Sequence, residues 1–291
     1  MKTNKNWLNV DDSEFYYGGK RAVEWFNEQI VKRREKYPIL SNKAESPRYE
    51  AAIDALKKNG WAHLPKILDM QLLTKIRDNA NKIIEKGKNL KINDEYFAFI
   101  SQPLINVDGV SELAFSDLLV DIAEEFFECT PAIGTLSLRR NKLTNLPSKN
   151  TLLYHCDANS IKFFKFFIYL NDVDEVSHGP FTIIEGTNKI KHSSWNAKHR
   201  WSDKEIKNLY GKEKIKYCYG NMGDLLMATT TAFHKGTQPI SQERLVLVIN
   251  YVVHPELGSG VPQKISFKVS KEFVESLPED KKPIADFLIK V

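Results

Sequence analysis

A histidine and an aspartate two residues apart, His155 and Asp157, stand just before a long aromatic run in the stretch LLYHCDANSIKFFKFFIYLNDV (152–173). On a β-strand, residues i and i+2 point to the same face, so this spacing would place an imidazole beside a carboxylate. Such a pair suits a divalent metal ion, and two histidines with one carboxylate form the facial triad of non-haem iron(II) oxygenases. The alternative is an ordinary hydrogen-bonded pair in the core or at the surface.

A second histidine for such a triad has to come from a distant strand. His234 follows an apolar stretch at 224–229 and precedes a Gly-Thr-Gln-Pro turn and an apolar strand that starts at Arg244. Three other histidines that follow the pair are alternatives for this ligand: His178, His192 and His199. We predict His234, because it alone among these histidines is followed by an arginine at the root of an apolar strand.

Arg244 opens a predicted strand with two distinct faces. It shares one face with Val246, Val248 and Asn250, and the other face carries Leu245, Leu247, Ile249 and Tyr251. A guanidinium that points into the interior needs an anion, because an unpaired buried charge is costly. A dicarboxylate co-substrate would satisfy it through a bidentate pair. An internal salt bridge to an acidic residue is the alternative.

The elements that must position these residues change character along the chain. Helical patterns occupy 18–36, the segment 49–87 around an Asn59-Gly60 stop and a short strand, and 111–128. After residue 130, short β-type runs separated by turn residues follow at 133–143, 151–157, 163–173, 181–186, 215–220, 224–230 and 244–253. Helices followed by a succession of strands predict an antiparallel sandwich or barrel with helices packed on it, rather than a βαβ sheet.

The composition is typical of a globular chain, with 291 residues of which 42% are hydrophobic. Lys and Arg outnumber Asp and Glu by 42 to 37 without a dense basic block, and nucleic-acid-binding motifs are not recognisable, so we predict no nucleic-acid partner. The three cysteines are odd in number and widely spaced, which favours a reducing compartment. No stretch approaches the roughly 20 apolar residues of a membrane span. We therefore predict a cytoplasmic protein with no membrane partner.

Four sequence elements in order resemble the phytanoyl-CoA dioxygenase family of Fe(II)- and 2-oxoglutarate-dependent oxygenases, over residues 48–255. They are ALKKNGWAHLPKILDMQLLTKIR, HCD, HGPFTIIEGTNK, and His234 with Arg244 ten residues on. Asn188 stands where the family often has a histidine, whereas Asp157 is retained, unlike in halogenases. The tryptophan and lysine that contact the co-substrate in some members have no clear match. Basic residues that could replace them are Arg139, Lys162 and Lys165.

The resemblance implies a mainly β, α+β fold: a double-stranded β-helix (a cupin-like jelly-roll barrel) with packed N-terminal helices over 48–291, after a helical extension at 1–47. It implies Fe(II) held by His155, Asp157 and His234, and 2-oxoglutarate whose far carboxylate pairs with Arg244. The implied reaction hydroxylates a C–H bond of a small metabolite and converts 2-oxoglutarate to succinate and CO2. The alternatives are a metal-binding cupin-like isomerase or lyase, a hydrolytic zinc enzyme, and a non-catalytic small-molecule binder.

The connection 187–214 is long and rich in Trp, His and basic residues. Long connections in compact domains are often lids or binding loops. We predict that this one contacts an anionic or sugar-like substrate through Lys191, His192, Trp195, His199, Arg200 and Trp201. A solvated loop with a few anchoring aromatics is the alternative, and the sequence leaves the substrate and the oligomeric state open.

Overall fold

The computed structural model describes residues 7–9, 20–37, 49–157, 160–195, 197–255 and 268–288. Its helices are α1 (Lys20–Lys36), α2 (Glu50–Asn59), α3 (Met70–Lys86), α4 (Pro103–Asn106), α5 (Val110–Ala114), α6 (Asp117–Phe127), α7 (Asp203–Tyr210) and α8 (Lys271–Glu275). Its strands are β1 (Trp7–Asn9), β2 (Trp61–Leu64), β3 (Leu90–Asn93), β4 (Phe97–Ile100), β5 (Ala132–Asn141), β6 (Phe163–Tyr169), β7 (Phe181–Ile184), β8 (Ile190–His192), β9 (Ile215–Cys218), β10 (Leu225–Ala228), β11 (His234–Gly236) and β12 (Arg244–Val252). None of the helices in these ranges is long and apolar enough to cross a membrane.

Two antiparallel sheets face one another and form a jelly roll. The larger has the order β2-β10-β6-β12-β5-β4-β3, and the smaller has the order β11-β7-β9. An isolated bridge between His155 and His234 adds the segment before β6 to the edge of the smaller sheet. The sheets meet where the ring of Phe167 packs 4.2 Å from that of Phe181. In the described residues, hydrogen bonding does not close the two sheets into a continuous barrel, which corrects the predicted barrel to an open jelly roll.

The central strands β6 and β12 separate the helices from the interior of the jelly roll. Alternate residues of both strands pack in one apolar cluster with side chains of α2, α3 and α6: Phe164, Phe166, Ile168, Leu245, Leu247, Ile249 and Tyr251. The residues between them point to the smaller sheet, as the period of two requires. The predicted two-faced pattern of the Arg244 strand is therefore confirmed, and the arginine faces inward.

Several predicted elements have different boundaries in the structure. The helix predicted at 111–128 is two helices, α5 and α6, because Ser116 caps a new helix by accepting from the Leu119 N–H group. The predicted strand 151–157 is a 3-10 turn followed by single bridges at Tyr154 and His155. The predicted stop at Asn59 is confirmed, since Gly60 ends α2 in the left-handed conformation.

Helix α1 packs on the jelly roll, a placement that the sequence leaves open. Arg33 is buried and donates to the backbone carbonyls of Thr130, Pro131 and Pro283. It also forms an ion pair with Asp286 at 3.2 Å. One side chain thus joins α1 to the start of β5 and to the C-terminal segment. The predicted domain boundary near residue 47 lies outside the described residues.

We expect Arg33→Ala to lower the free energy of unfolding by about 2 to 4 kcal/mol, because buried carbonyl oxygens and Asp286 then lose the guanidinium as their hydrogen-bond donor. Arg34 is the matched control: it lies one residue on, and its ion pair with Glu128 is exposed. Arg34→Ala should cost less than about 1 kcal/mol. Urea unfolding of both variants measures the difference, and equal losses would contradict the role given to Arg33.

Candidate active site

Three side chains from two edge segments of the smaller sheet converge at one end of a cavity. His155 and His234 face each other across their bridge, with both backbone N–H groups donating at 2.9 Å. The carboxylate of Asp157 lies 3.6 Å from Nε2 of His155 and 3.4 Å from Nε2 of His234. The potential ligand atoms of the three residues all lie within 4.8 Å of one another. This donor set suits a divalent metal, and three protein ligands leave other coordination positions for further ligands.

Backbone carbonyls orient both imidazoles. Nδ1 of His155 lies 2.8 Å from the carbonyl oxygen of Leu153, and Nδ1 of His234 lies 2.9 Å from that of Ala232. A carbonyl can only accept, so each Nδ1 carries a hydrogen, and in a neutral ring Nε2 is then the nitrogen with the lone pair toward Asp157. Metal-binding histidines are usually held in this way.

The charges of the site also suit metal binding. Burial and the neighbouring His234 lower the pKa of His155 to about 3, so its imidazole is neutral at physiological pH. Burial acts to raise the pKa of Asp157, but Lys165 and the two imidazoles hold that pKa well below its usual value. Nζ of Lys165 lies 2.5 Å from Oδ2 of Asp157. The chain therefore presents a carboxylate at Asp157 and a neutral imidazole at His155, which are protonation states that a metal requires.

A cavity of about 160 Å³ extends from the triad between the two sheets. It is lined by Thr135, Ser137, Arg139, Thr151, His155, Asp157, Lys165, Phe167, Tyr169, Phe181, His234, Gly236, Arg244, Val246 and Val248. The hydroxyl of Tyr169 donates to the carbonyl of Cys218 and accepts from the N–H group of Phe181, so this tyrosine ties the two sheets together. The other polar residues of the wall are three cations, Arg139, Lys165 and Arg244, and three hydroxyl residues, Thr135, Ser137 and Thr151.

Arg244 is the largest fully buried side chain, with 2% of its surface exposed. Its Nε and Nη1 atoms have no hydrogen-bond partner within the described part of the chain. No ion pair is found for it there either, so the alternative of an internal salt bridge has no support in those residues. Burial lowers the pKa of Arg244, but a guanidinium stays protonated. A buried unpaired cation on a cavity wall is costly and is expected where an anionic ligand binds.

Arg139 is a second cation on the same wall. The β5–β12 register pairs Arg139 with Val246 and Asn141 with Arg244, so the two arginines are diagonal neighbours on one face. Burial and the charge of Arg244 lower the pKa of Arg139 to about 10. Nε of Arg139 also lacks a partner among the described residues. Of the three basic residues that could replace the family's co-substrate contacts, Arg139 and Lys165 line the cavity, whereas Lys162 lies over the ring of Phe126.

Gly236 keeps space open beside Arg244. A Cβ atom at Gly236 would lie 3.1 Å from Nη2 of Arg244, which is tighter than ordinary van der Waals contact. Gly236 lies two residues after His234 on β11, so the strand that supplies a metal ligand also shapes the space around the guanidinium.

The three alternative histidines lie elsewhere. His178 is paired with Asp174 and Glu175 near the surface. Nδ1 of His192 lies 2.8 Å from the hydroxyl of Ser194, and His199 is exposed. The structure therefore brings together His155, Asp157, His234 and Arg244, the four residues predicted for the metal and the co-substrate.

The residues predicted to contact substrate in 187–214 do not line this cavity. Trp201 is buried under α7 and bridges to Tyr154 through the backbone, next to His155. Trp195 packs at the edge of the same cluster, and the buried amine of Lys191 donates to the carbonyl of Thr187. Arg200 is exposed and acts electrostatically on His155. Their contact with a substrate stays a prediction.

Lys165 is a polar residue of the interior whose contact with Asp157 the sequence did not reveal. This contact depends on how β6 lies against the segment that carries Asp157.

Solved structures with a similar fold include proteins crystallised with 2-oxoglutarate. EctD from S. alaskensis, solved with 2-oxoglutarate and 5-hydroxyectoine, is 14% identical over 78% of this chain and 88% of its own, with a TM-score of 0.58. The epimerase SnoN, solved with Fe3+, alpha ketoglutarate and nogalamycin RO, is 15% identical over 70% and 82% of the two chains, with a TM-score of 0.52. HygX from Streptomyces hygroscopicus, solved with nickel, 2-oxoglutarate and hygromycin B, is 12% identical over 69% and 86%, with a TM-score of 0.51.

At these identities the likeness establishes the jelly-roll fold alone. No protein-family model matches the sequence, and no curated protein matches it.

Proposed function

We propose that this protein is an Fe(II)- and 2-oxoglutarate-dependent oxygenase of the phytanoyl-CoA dioxygenase family that hydroxylates a C–H bond of a small molecule. The observation that carries the proposal is the buried guanidinium of Arg244, whose Nε and Nη1 atoms are unpaired in the described residues. It lies on the wall of the same cavity as the triad. A metal site alone would fit a cupin-like isomerase, a zinc hydrolase or a binding protein. A metal site facing an unpaired arginine calls for a ligand that carries an anion at a distance from its metal-binding end.

The residues of the chain fit these two groups. His155, Asp157 and His234 would hold Fe(II) through two Nε2 atoms and one carboxylate oxygen. Arg244 would bind the far carboxylate of 2-oxoglutarate, with Arg139 beside it. Gly236 has no side chain that would crowd the guanidinium of Arg244. When bound, iron and 2-oxoglutarate supply oxygen activation coupled to oxidative decarboxylation. The protein contributes ligand geometry and a site from which Phe167, Phe181 and Val248 exclude water.

A different oxidation outcome is a second candidate, because proteins of similar fold include the epimerase SnoN and the carbocyclase SnoK. Both outcomes use the same metal and co-substrate. Mass analysis of the product separates them, since hydroxylation adds one oxygen atom and epimerisation adds none.

The test is an anaerobic titration of the metal-free protein with Fe(II) and then 2-oxoglutarate, followed in the visible range. We expect the weak charge-transfer band of a chelated 2-oxo acid, and its loss in His155→Ala. A zinc-loaded sample is the control, because 2-oxoglutarate can bind to zinc without producing the charge-transfer band. Iron binding without any 2-oxoglutarate binding would overturn the proposal in favour of an isomerase or a non-catalytic binder.

Filling the space at Gly236 is expected to weaken 2-oxoglutarate binding in a graded way. A Cβ atom crowds Arg244, and overpacking a filled site costs about 1 to 3 kcal/mol, which corresponds to a loss of about tenfold for Gly236→Ala and more for Gly236→Val. Metal affinity should stay within about twofold, because the ligand atoms of the triad are not crowded. Gly220→Ala is the control, since its Cβ would meet the Tyr169 ring at an ordinary 3.4 Å. Calorimetric titration measures all three variants.

A further inference from the structure

The three candidate metal ligands lie on the side of the smaller sheet, and neighbouring groups set their orientation. His155 and Asp157 belong to the segment that bridges to β11, and His234 belongs to β11 itself. Each imidazole is oriented through Nδ1 by a backbone carbonyl, one from Leu153 and one from Ala232. An ionised carboxylate has no hydrogen to donate, so its orientation requires a donor instead.

Lys165 supplies such a donor from the larger sheet. Its Nζ atom lies 2.5 Å from Oδ2 of Asp157, while Oδ1 of the same carboxylate lies 3.6 Å from Nε2 of His155. A hydrogen bond between an ammonium and a carboxylate is stronger than one between neutral groups. The contact therefore acts on the position and on the rotation of the carboxylate beside the imidazoles.

The side chain of Lys165 is itself held in place. Its backbone lies inside β6, where it pairs with Ala228 on β10 and with Asn250 on β12. The side chain is 14% exposed, and Nζ lies 5.8 Å from the centre of the Phe163 ring. Because a long side chain has already lost its rotamer freedom in such a site, the donor is preorganised for the carboxylate.

Asp157 follows the bridged residues and is not part of a strand. Its N–H group donates to the carbonyl of Thr230 at 2.8 Å, which places the backbone. A backbone hydrogen bond does not determine the side-chain torsions, and the terminal torsion of an aspartate is broad. The ion pair with Lys165 acts on those torsions directly.

The ammonium of Lys165 also places a positive charge next to a site for a cation. This charge by itself opposes metal binding, because like charges repel. The hydrogen bond to Asp157 favours metal binding, because it holds a ligand in place. The two effects have opposite signs, so the metal affinity of suitable variants separates them.

We propose that Lys165 is a positioning residue of the metal site. Its ammonium holds the carboxylate of Asp157 in the orientation in which one of its oxygen atoms and the two imidazoles of the triad point to the same metal ion. The strand that carries Lys165, β6, is the neighbour of β12, which carries Arg244. Lys165 thus joins the metal ligands to the wall of the larger sheet. This inference rests on the proposed function, because it assigns a role within the metal site of that reaction.

The test compares the Mn(II) affinity of the wild type with that of Lys165→Met and Lys165→Gln, by electron paramagnetic resonance of free Mn(II). Methionine and glutamine have side chains of equal length, and both remove the charge, but glutamine keeps a hydrogen-bond donor. We expect Lys165→Met to bind Mn(II) about tenfold more weakly, as is usual when a partner of a metal ligand is lost. Lys165→Gln should recover part of this loss and bind within about threefold of the wild type.

Lys162→Met is the matched control, because Lys162 lies three residues earlier and its ammonium lies 4.9 Å from the centre of the Phe126 ring. Its Mn(II) affinity should stay within about twofold of the wild type. Far-ultraviolet circular dichroism of the metal-free samples checks that each variant is folded.

A second readout does not depend on affinity. In samples saturated with Fe(II) and 2-oxoglutarate, the charge-transfer band of Lys165→Met should shift in wavelength, because the carboxylate ligand is no longer held in the same orientation. The band of Lys165→Gln should stay closer to that of the wild type. An unshifted band in Lys165→Met would overturn the positioning role.

An Mn(II) affinity of Lys165→Met equal to or higher than that of the wild type would also overturn it, since the ammonium would then act through its charge alone. Equal losses in Lys165→Met and Lys165→Gln would overturn it too, because the loss would not follow the donor. These outcomes leave the metal site and the proposed function standing. A wild type that binds neither Mn(II) nor Fe(II) would instead reject the metal site itself, so the two failures are distinguishable.

Discussion

Replacing Arg244 with methionine is expected to weaken 2-oxoglutarate binding by about 100-fold or more and, at the same time, to stabilise the ligand-free protein. The two effects have one cause. In the free protein the guanidinium is buried and its Nε and Nη1 atoms lack partners, so burial of this charge opposes folding. In the complex the same group pairs with a carboxylate in a site shielded from water, where charge-assisted hydrogen bonds are strongest.

Methionine has a similar length and no charge, so Arg244→Met fills most of the volume and removes only the need for an anion. The free energy of unfolding of the metal-free protein should rise by about 1 to 4 kcal/mol, as found when buried ionic groups are replaced by apolar ones. Urea unfolding measures this change, and the anaerobic titration measures the loss of 2-oxoglutarate affinity.

Arg140→Met is the matched control, because Arg140 is the penultimate residue of β5, lies on the face opposite to Arg139, and pairs with Asn81 and Glu243. It should leave 2-oxoglutarate affinity within about twofold and change stability by less than about 1 kcal/mol. If Arg244→Met destabilised the ligand-free protein, the guanidinium would have to be satisfied by the protein itself. Arg244 would then not require an anionic co-substrate.

The central part of the fold could be predicted from the sequence because its signals are local. The alternation of apolar residues along β12 already assigns Arg244 to one face, and that face is the cavity wall in the structure. The Asn59-Gly60 stop is equally local, since the left-handed conformation at Gly60 suits glycine. His234 was predicted from its position ahead of Arg244, and the structure places it opposite His155.

Other features depend on contacts between distant segments, or on a local signal that was not used. Helix α7 lies inside the connection predicted as a loop, although Ser202 and Glu205 form a capping box at its start. The segment 151–157 has the residue types of a strand but pairs only singly at Tyr154 and His155, so its alternation was a poor guide to its structure. The contact between Lys165 and Asp157 could not be read from spacing, because it depends on the path of the chain between them.

Removing His234 is expected to have the second large effect: His234→Ala should weaken binding of Fe(II), or of Mn(II) as a probe, by about 100-fold or more. The loss follows from the site's construction. His155 and Asp157 come from one segment, and only His234 brings a ligand from β11, so the variant leaves two ligands on one side of the metal. The backbone bridge with His155 does not use the side chain and should survive, which keeps Asp157 and His155 in place.

His178→Ala is the matched control, because His178 also contacts carboxylates but lies apart from the triad, beside Asp174 and Glu175. Electron paramagnetic resonance of free Mn(II) measures the affinity of both variants, and far-ultraviolet circular dichroism checks that both are folded. We expect the control to bind Mn(II) like the wild type. Retained affinity in His234→Ala would mean that the metal does not bind between the two histidines, and the cavity would then lack the metal centre that the proposed co-substrate needs.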